Sequence, residues 1–211
     1  VIDAATSEGD LDRLHAAGVR GVRVNIATHG MNDPGEAWRL LHWNASRVRR
    51  LGWHVQVLTR PDVIVALAGR IPDLGMPLVI DHFGLISPTG GVDQPGFAAL
   101  AGLLAGGQVL VKLSAIERLT GAGRGRLLAP FIAALVAANP AALLWGSDWP
   151  HTGGSRKAGR PITEIEPFEA LDDACAIDVL GASIAEDRVF VDLFATTPAR
   201  LAAVHARLDH W

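Results

Sequence analysis

The sequence predicts an α/β protein built on a parallel sheet, and it favours a (β/α)8 barrel over an open, doubly wound sheet. Three observations carry that expectation. Short apolar runs recur roughly 30 residues apart with amphipathic stretches between them, the length of one strand–helix–strand unit. Most of the runs are apolar on both faces, as strands covered from both sides require. Residues able to do chemistry collect at the C-terminal edges of several runs, whereas an open sheet would gather them at one switch point.

In chain order the predicted strands are VIDA at 1–4, GVRVNIA at 21–27, HVQVLT at 54–59, PLVIDHF at 77–83, VLVKLSA at 109–115 and ALLWGSDW at 142–149. Amphipathic stretches at 36–52 and 125–140 read as helices, the second stopping at Asn139-Pro140, because proline disfavours helical backbone in the residue before it. GAGRG at 121–125 does not directly follow a strand and reads as a plain loop before a helix rather than a phosphate cradle. The longest unpatterned stretch, 151–164, follows the last strand, and loops of that length in compact domains are functional or disordered. Glu164, Glu166, Glu169, Asp172 and Asp173 read as a solvated helical face. With no linker and no longer repeat, residues 1–211 are expected to form a single domain.

Composition narrows the class. Of 211 residues 49% are apolar, enough to offset the entropy of ordering the chain and so to exclude disorder. The 23 glycines lack a three-residue period and there is one cysteine, which excludes collagen-like and disulfide-stapled folds. The formal charge is −3, with no basic block beyond Arg47, Arg49 and Arg50, so nucleic acid is not an expected partner. No apolar run approaches the roughly 18 residues of a membrane span. Cys175 is expected to be a buried thiol in a helix, and a lone cysteine suits a reducing, cytoplasmic compartment.

Strand parity sorts the candidate site residues, since successive side chains point to opposite faces. Arg23 and Asn25 share a face, as do Lys112 and Ser114. Leu78, Ile80 and His82 share one and leave Asp81 on the other, and Asp148 ends the last strand. This arrangement puts Arg23, Asn25, His82, Ser114 and Asp148 around the barrel mouth. Lys112 is expected to pair locally.

LLWGSDWPH at 143–151, LVIDHFG at 78–84, RGVRVN at 20–25 and VKLSAIER at 111–118 together resemble the metal-dependent hydrolase (amidohydrolase) superfamily. Within it they look most like the lactone-hydrolase branch typified by 2-pyrone-4,6-dicarboxylate lactonase. The resemblance implies a distorted (β/α)8 barrel in which these runs are strands four to eight, with VIDA as the end of strand three. Strands one and two would be missing, and with them the His-x-His of strand one, which occurs nowhere in the chain. The opening at Val1 rather than methionine points the same way, to an incomplete barrel.

The resemblance further implies that Asp148 is the general base that activates water, with His82 beside the reacting carbonyl. Arg23 and Arg118 would hold substrate carboxylates, for which a planar guanidinium is suited. Asn25, Ser114, Arg60 and His151 are further candidates for the same pocket, His151 as support for Asp148. The chain departs from the branch in SAIER at 114–118, in VDLFATTPARLAAV at 191–204 and in having no tyrosine, so its own substrate need not be theirs.

The leading expectation is therefore a hydrolase that opens a carboxylated lactone without a cofactor, acting on a small anionic substrate, with homo-oligomers compatible. One alternative is a zinc-dependent decarboxylase of the same superfamily, in which His82 and Asp148 would be metal ligands. Another is an inactive fragment whose open sheet edges need a partner.

Overall fold

The computed structural model describes residues 1–28, 30, 31, 33–151, 163, 165 and 167–203. Five parallel strands form one sheet in chain order: β1 (Gly21–Asn25), β2 (His54–Leu58), β3 (Leu78–Ile80), β4 (Leu110–Ser114) and β5 (Leu143–Gly146). All four ladders are parallel, as expected where each strand returns through a helix. This is an incomplete (β/α)8-type barrel: among the described residues β1 and β5 are its edges and the sheet does not close.

The helices are α1 (Glu8–Ala16), α2 (Pro34–Val48), α3 (Pro61–Leu67), α4 (Pro95–Ala105), α5 (Ile116–Thr120), α6 (Ala129–Ala138), α7 (Asp173–Ser183), α8 (Asp187–Phe194) and α9 (Thr196–Ala203). Local chemistry sets several starts. Proline opens α2, α3 and α4, where its missing N–H costs nothing. Ser7 and Asp10 form a capping box on α1, and Asp33 and Asp172 cap α2 and α7, each satisfying an otherwise orphaned backbone N–H.

Alternation along the strands divides the molecule into two surfaces. Val55, Val57, Leu78, Ile80, Val111 and Leu113 are buried among the apolar residues of α2, α3, α4 and α6. Phe97 of α4 meets Phe131 of α6 edge-on, with ring centres 4.9 Å apart, a favoured aromatic geometry. Gln56, Val79, Lys112 and Leu144 line the opposite surface, the barrel lumen.

Three sequence expectations are corrected. VIDA forms no strand, because Asp3 accepts hydrogen bonds from the backbone N–H groups of Ala5 and Thr6 and turns the chain instead. Cys175 lies on α7 as expected but is exposed, since that helix buries Leu180 rather than its first turn. The Asp172 carboxylate beside it, with slight desolvation, pushes the thiol pKa up, away from nucleophilic character. Within the acidic run, α7 begins only at Asp173, so Glu169 and Asp172 are not on a helical face; Glu164 and Glu166 lie outside the described residues. So does most of the 151–164 loop. The Arg47–Arg50 group is engaged internally: Arg47 and Arg50 pair with Glu8, Arg50 also with Asp12, and Arg49 donates to the Leu74 carbonyl. The contacts to Glu8 and Asp12 bind α1 to the end of α2.

Candidate active site

Three consecutive strands leave the sheet through residues in the left-handed backbone region. His82 follows β3 with φ 52°, Ala115 follows β4 with φ 57°, and Asp148 follows β5 with φ 68°. For side chains other than glycine this region is strained, and such residues gather at functional sites. After β3 the strain is concentrated, since His82, Phe83, Gly84 and Leu85 all have φ between 52° and 66°. Phe83, fully buried, and a hydrogen bond from the Gly84 N–H to the Asp81 carbonyl hold the turn.

The turn delivers His82 to a closed position, 3% exposed. Its Nδ1 lies 2.8 Å from Ser114 Oγ at the end of β4. Its Nε2 faces the Asp148 carboxylate at 3.4 Å. Arg118 on α5 approaches the other oxygen of Asp148, also at 3.4 Å. Burial lowers the His82 pKa, opposed by Asp148 and then Asp81 and reinforced by Arg118 and Arg23, so the imidazole is neutral at pH 7. A cleft lined by Ala115, Arg118, Ser147, Asp148, His151 and Asp173 opens alongside.

A second polar cluster lies deeper in the lumen. Asp81, 0% exposed, receives Arg23 at 2.6 Å, Lys112 at 3.1 Å and an amide hydrogen bond from Gln56 at 2.9 Å. Register explains the meeting: one step beyond the Ile80↔Val111 pair, Asp81 falls level with Lys112. A buried carboxylate is tolerated only when paired and hydrogen-bonded in this way. Two cations against one anion leave the lumen with a surplus positive charge. Arg23 also donates through Nε to Asn25 Oδ1 at 2.8 Å.

The structure thus brings His82, Ser114, Asp148 and Arg118 together, with Arg23 and Asn25 on the neighbouring lumen cluster. Lys112 pairs locally. His151 stands near Asp148 but turns its Nε2 to Asp173 at 3.3 Å. Arg60 is not drawn in; its half-exposed guanidinium pairs with Asp62. The parity assignment for β3 needs correction: the strand ends at Ile80, Leu78 and Ile80 face the helices, and Asp81 is the residue that faces the lumen. His82 reaches the mouth through the left-handed turn rather than through alternation. Sequence reasoning missed Asp81 and Gln56 as site residues, although Arg23 and Lys112 on nearby strands are a signal that a buried anion stands between them.

His82 Nε2 and Asp148 are donors of kinds that zinc accepts. Among the described residues, however, no three His, Cys, Asp or Glu side chains converge as a metal site would require, so the described donor set does not fit one.

The amidohydrolase family profile matches residues 2–201. The chain belongs to the amidohydrolase family. It is 30% identical over 199 residues to a 4-sulfomuconolactone hydrolase of Rhizobium radiobacter, a match covering 92% of this chain and 62% of that protein. It is 32% identical over 161 residues to a 2-pyrone-4,6-dicarboxylate hydrolase of Comamonas testosteroni, covering 71% and 52% respectively. A Pseudomonas putida crystal structure described as a candidate 2-pyrone-4,6-dicarboxylic acid hydrolase superposes with a TM-score of 0.75 at 29% identity. That superposition covers 97% of this amidohydrolase chain and 70% of the other. The chain therefore spans less than two thirds of the length of these two curated relatives.

Proposed function

We propose that this amidohydrolase opens a lactone ring bearing anionic substituents by general-base hydrolysis. The observation that carries the reading is the buried His82 imidazole with its Nε2 3.4 Å from the partly exposed Asp148 carboxylate, on two strand ends, with Arg118 alongside. In the reaction Asp148 takes a proton from water as the water oxygen attacks the lactone carbonyl carbon. His82 polarises that carbonyl and stabilises the oxyanion that forms, a role that suits a neutral imidazole. Collapse of the tetrahedral intermediate breaks the ring C–O bond, and the proton held by Asp148 passes to the departing ring oxygen. The products are a carboxylic acid, which releases its proton to solvent near pH 7, and a hydroxyl on one opened chain.

Arg118 and Arg23 supply the positive charge that would hold the anionic substituents, and the surplus charge in the lumen favours such a ligand despite the chain's overall −3. The names of the relatives support this choice of substrate: both describe hydrolysis of lactones that carry acidic groups. The reaction as written uses water and side chains and no cofactor. We further propose a cytoplasmic location, in keeping with the lone cysteine; no helix among the described residues is long and apolar enough to cross a membrane.

The test follows loss of ring absorbance when the protein is incubated with 2-pyrone-4,6-dicarboxylate and with 4-sulfomuconolactone. Ring opening is expected, and Asp148→Asn should reduce it by roughly 10²–10⁴-fold, the usual contribution of a general base, while binding of the intact lactone persists. Undiminished turnover by Asp148→Asn would place the base elsewhere.

A further inference from the structure

We propose that Ser114 is a positioning residue, its hydroxyl donating to His82 Nδ1 and thereby fixing the imidazole as the tautomer that carries its proton on Nε2, facing Asp148. The inference rests on the hydrolase reading for its consequence but not for its geometry.

A neutral imidazole has one N–H and one bare nitrogen, and the partner of each nitrogen decides which is which. An ionised carboxylate only accepts. A bare Nε2 lying 3.4 Å from an Asp148 oxygen would set lone pair near lone pair, with the nitrogen atom itself buried and given no other partner. The proton therefore belongs on Nε2. Nδ1 must then accept, and the atom within hydrogen-bond distance of it is Ser114 Oγ at 2.8 Å. A hydroxyl can donate or accept, so Ser114 supplies the hydrogen.

The serine is suited to the task by its setting. It is the last residue of β4, 1% exposed, and held in register against Gly146 of β5. Its Oγ is engaged with His82 Nδ1, so the part assigned to it is to position the imidazole. What it controls is the direction of His82. With Nε2 protonated, the imidazole presents a hydrogen-bond donor to the mouth. Its contact to Asp148, long at 3.4 Å, leaves that donor ready to turn to a carbonyl oxygen as it becomes an oxyanion. The opposite tautomer would present a lone pair to the same oxygen and repel it.

The test is the tautomer itself, read by ¹⁵N–¹H correlation of the imidazole in ¹⁵N-histidine-labelled protein at a pH where His82 is neutral, the resonance being assigned by its loss in His82→Gln. The full chain should show a protonated Nε2 and a bare Nδ1. Ser114→Ala should mix the two tautomers and lower kcat on the order of tenfold to a hundredfold, as loss of an orienting partner does, with KM little changed. Ser114→Thr, which keeps the hydroxyl, should restore both. A protonated Nδ1 in the unsubstituted protein overturns the proposal without any variant having to fold, and so does a Ser114→Ala protein with unaltered tautomer and kcat. If neither lactone is hydrolysed while the tautomer is as stated and shifts in Ser114→Ala, the positioning role stands and the hydrolase reading fails.

Discussion

His82 is held where burial and charge act against each other. Its side chain is almost closed to water, and that desolvation outweighs the Asp148 and Asp81 carboxylates that would otherwise favour its protonation. The folded pKa therefore lies below the ordinary 6.5. Above that value neither folded nor unfolded chain holds a proton there, and His82 contributes no pH dependence. Below it the unfolded chain binds a proton that the folded one refuses, so stability falls with pH until the folded value is passed, by up to about 1.4 kcal/mol per pH unit. Urea unfolding from pH 7.5 downward should show this slope in the unsubstituted protein and a shallower one in His82→Gln. Equal slopes would mean that His82 is not buried as a neutral group. At the same scale Asp81 shows how much a single residue type conceals. Strand parity sets it on the face opposite Leu78 and Ile80, and only its position level with Lys112 and within reach of Arg23 reveals it as a buried anion between two cations.

At the level of elements, strands and helices were readable because apolar runs and amphipathic periods reflect burial directly. The runs at 21–27, 54–59 and 109–115 became strands close to their expected limits, whereas the run at 142–149 kept only Leu143–Gly146. PLVIDHF was also cut short, and only Leu78–Ile80 is strand. The reason is the turn at His82–Leu85, whose one sequence signal is Gly84. Gly84 has φ +66°, and a Cβ there would lie 2.6 Å from Ile64 Cδ1 in the core. Gly91 has a similar φ of +72° but nothing within 4 Å. Gly91→Ala should thus lose only the backbone cost of about 1 kcal/mol, and Gly84→Ala should lose that plus a packing term, for roughly 2–3 kcal/mol in all. Thermal unfolding of the two variants separates the contributions. Equal losses would show that Ile64 moves aside freely and that the turn is not clamped by the core. The candidate site was legible to the extent that its residues end strands; the geometry of His82 was not, because strand parity fails at the residue where the strand stops.

For the molecule as a whole, the decisive feature is that the sheet has two ends. β1 and β5 each pair on one side within the described sheet, and an unpaired strand edge is a template for another chain. Residues 1–211 studied alone should therefore self-associate as concentration rises, measurable by light scattering across a dilution series, and a monomer invariant with concentration would show that the edges are covered. The three left-handed exits bear on the same whole in a different way. Because backbone pivots at His82, Ala115 and Asp148, rather than long flexible side chains, set where the reactive groups stand, chemistry and recognition are carried by separable parts of the fold. The exposed neighbour of the last pivot, Trp149 at 75% exposure, can be exchanged while His82 and Asp148 keep their places. Selection acting on such a protein would find new substrates more easily than new reactions.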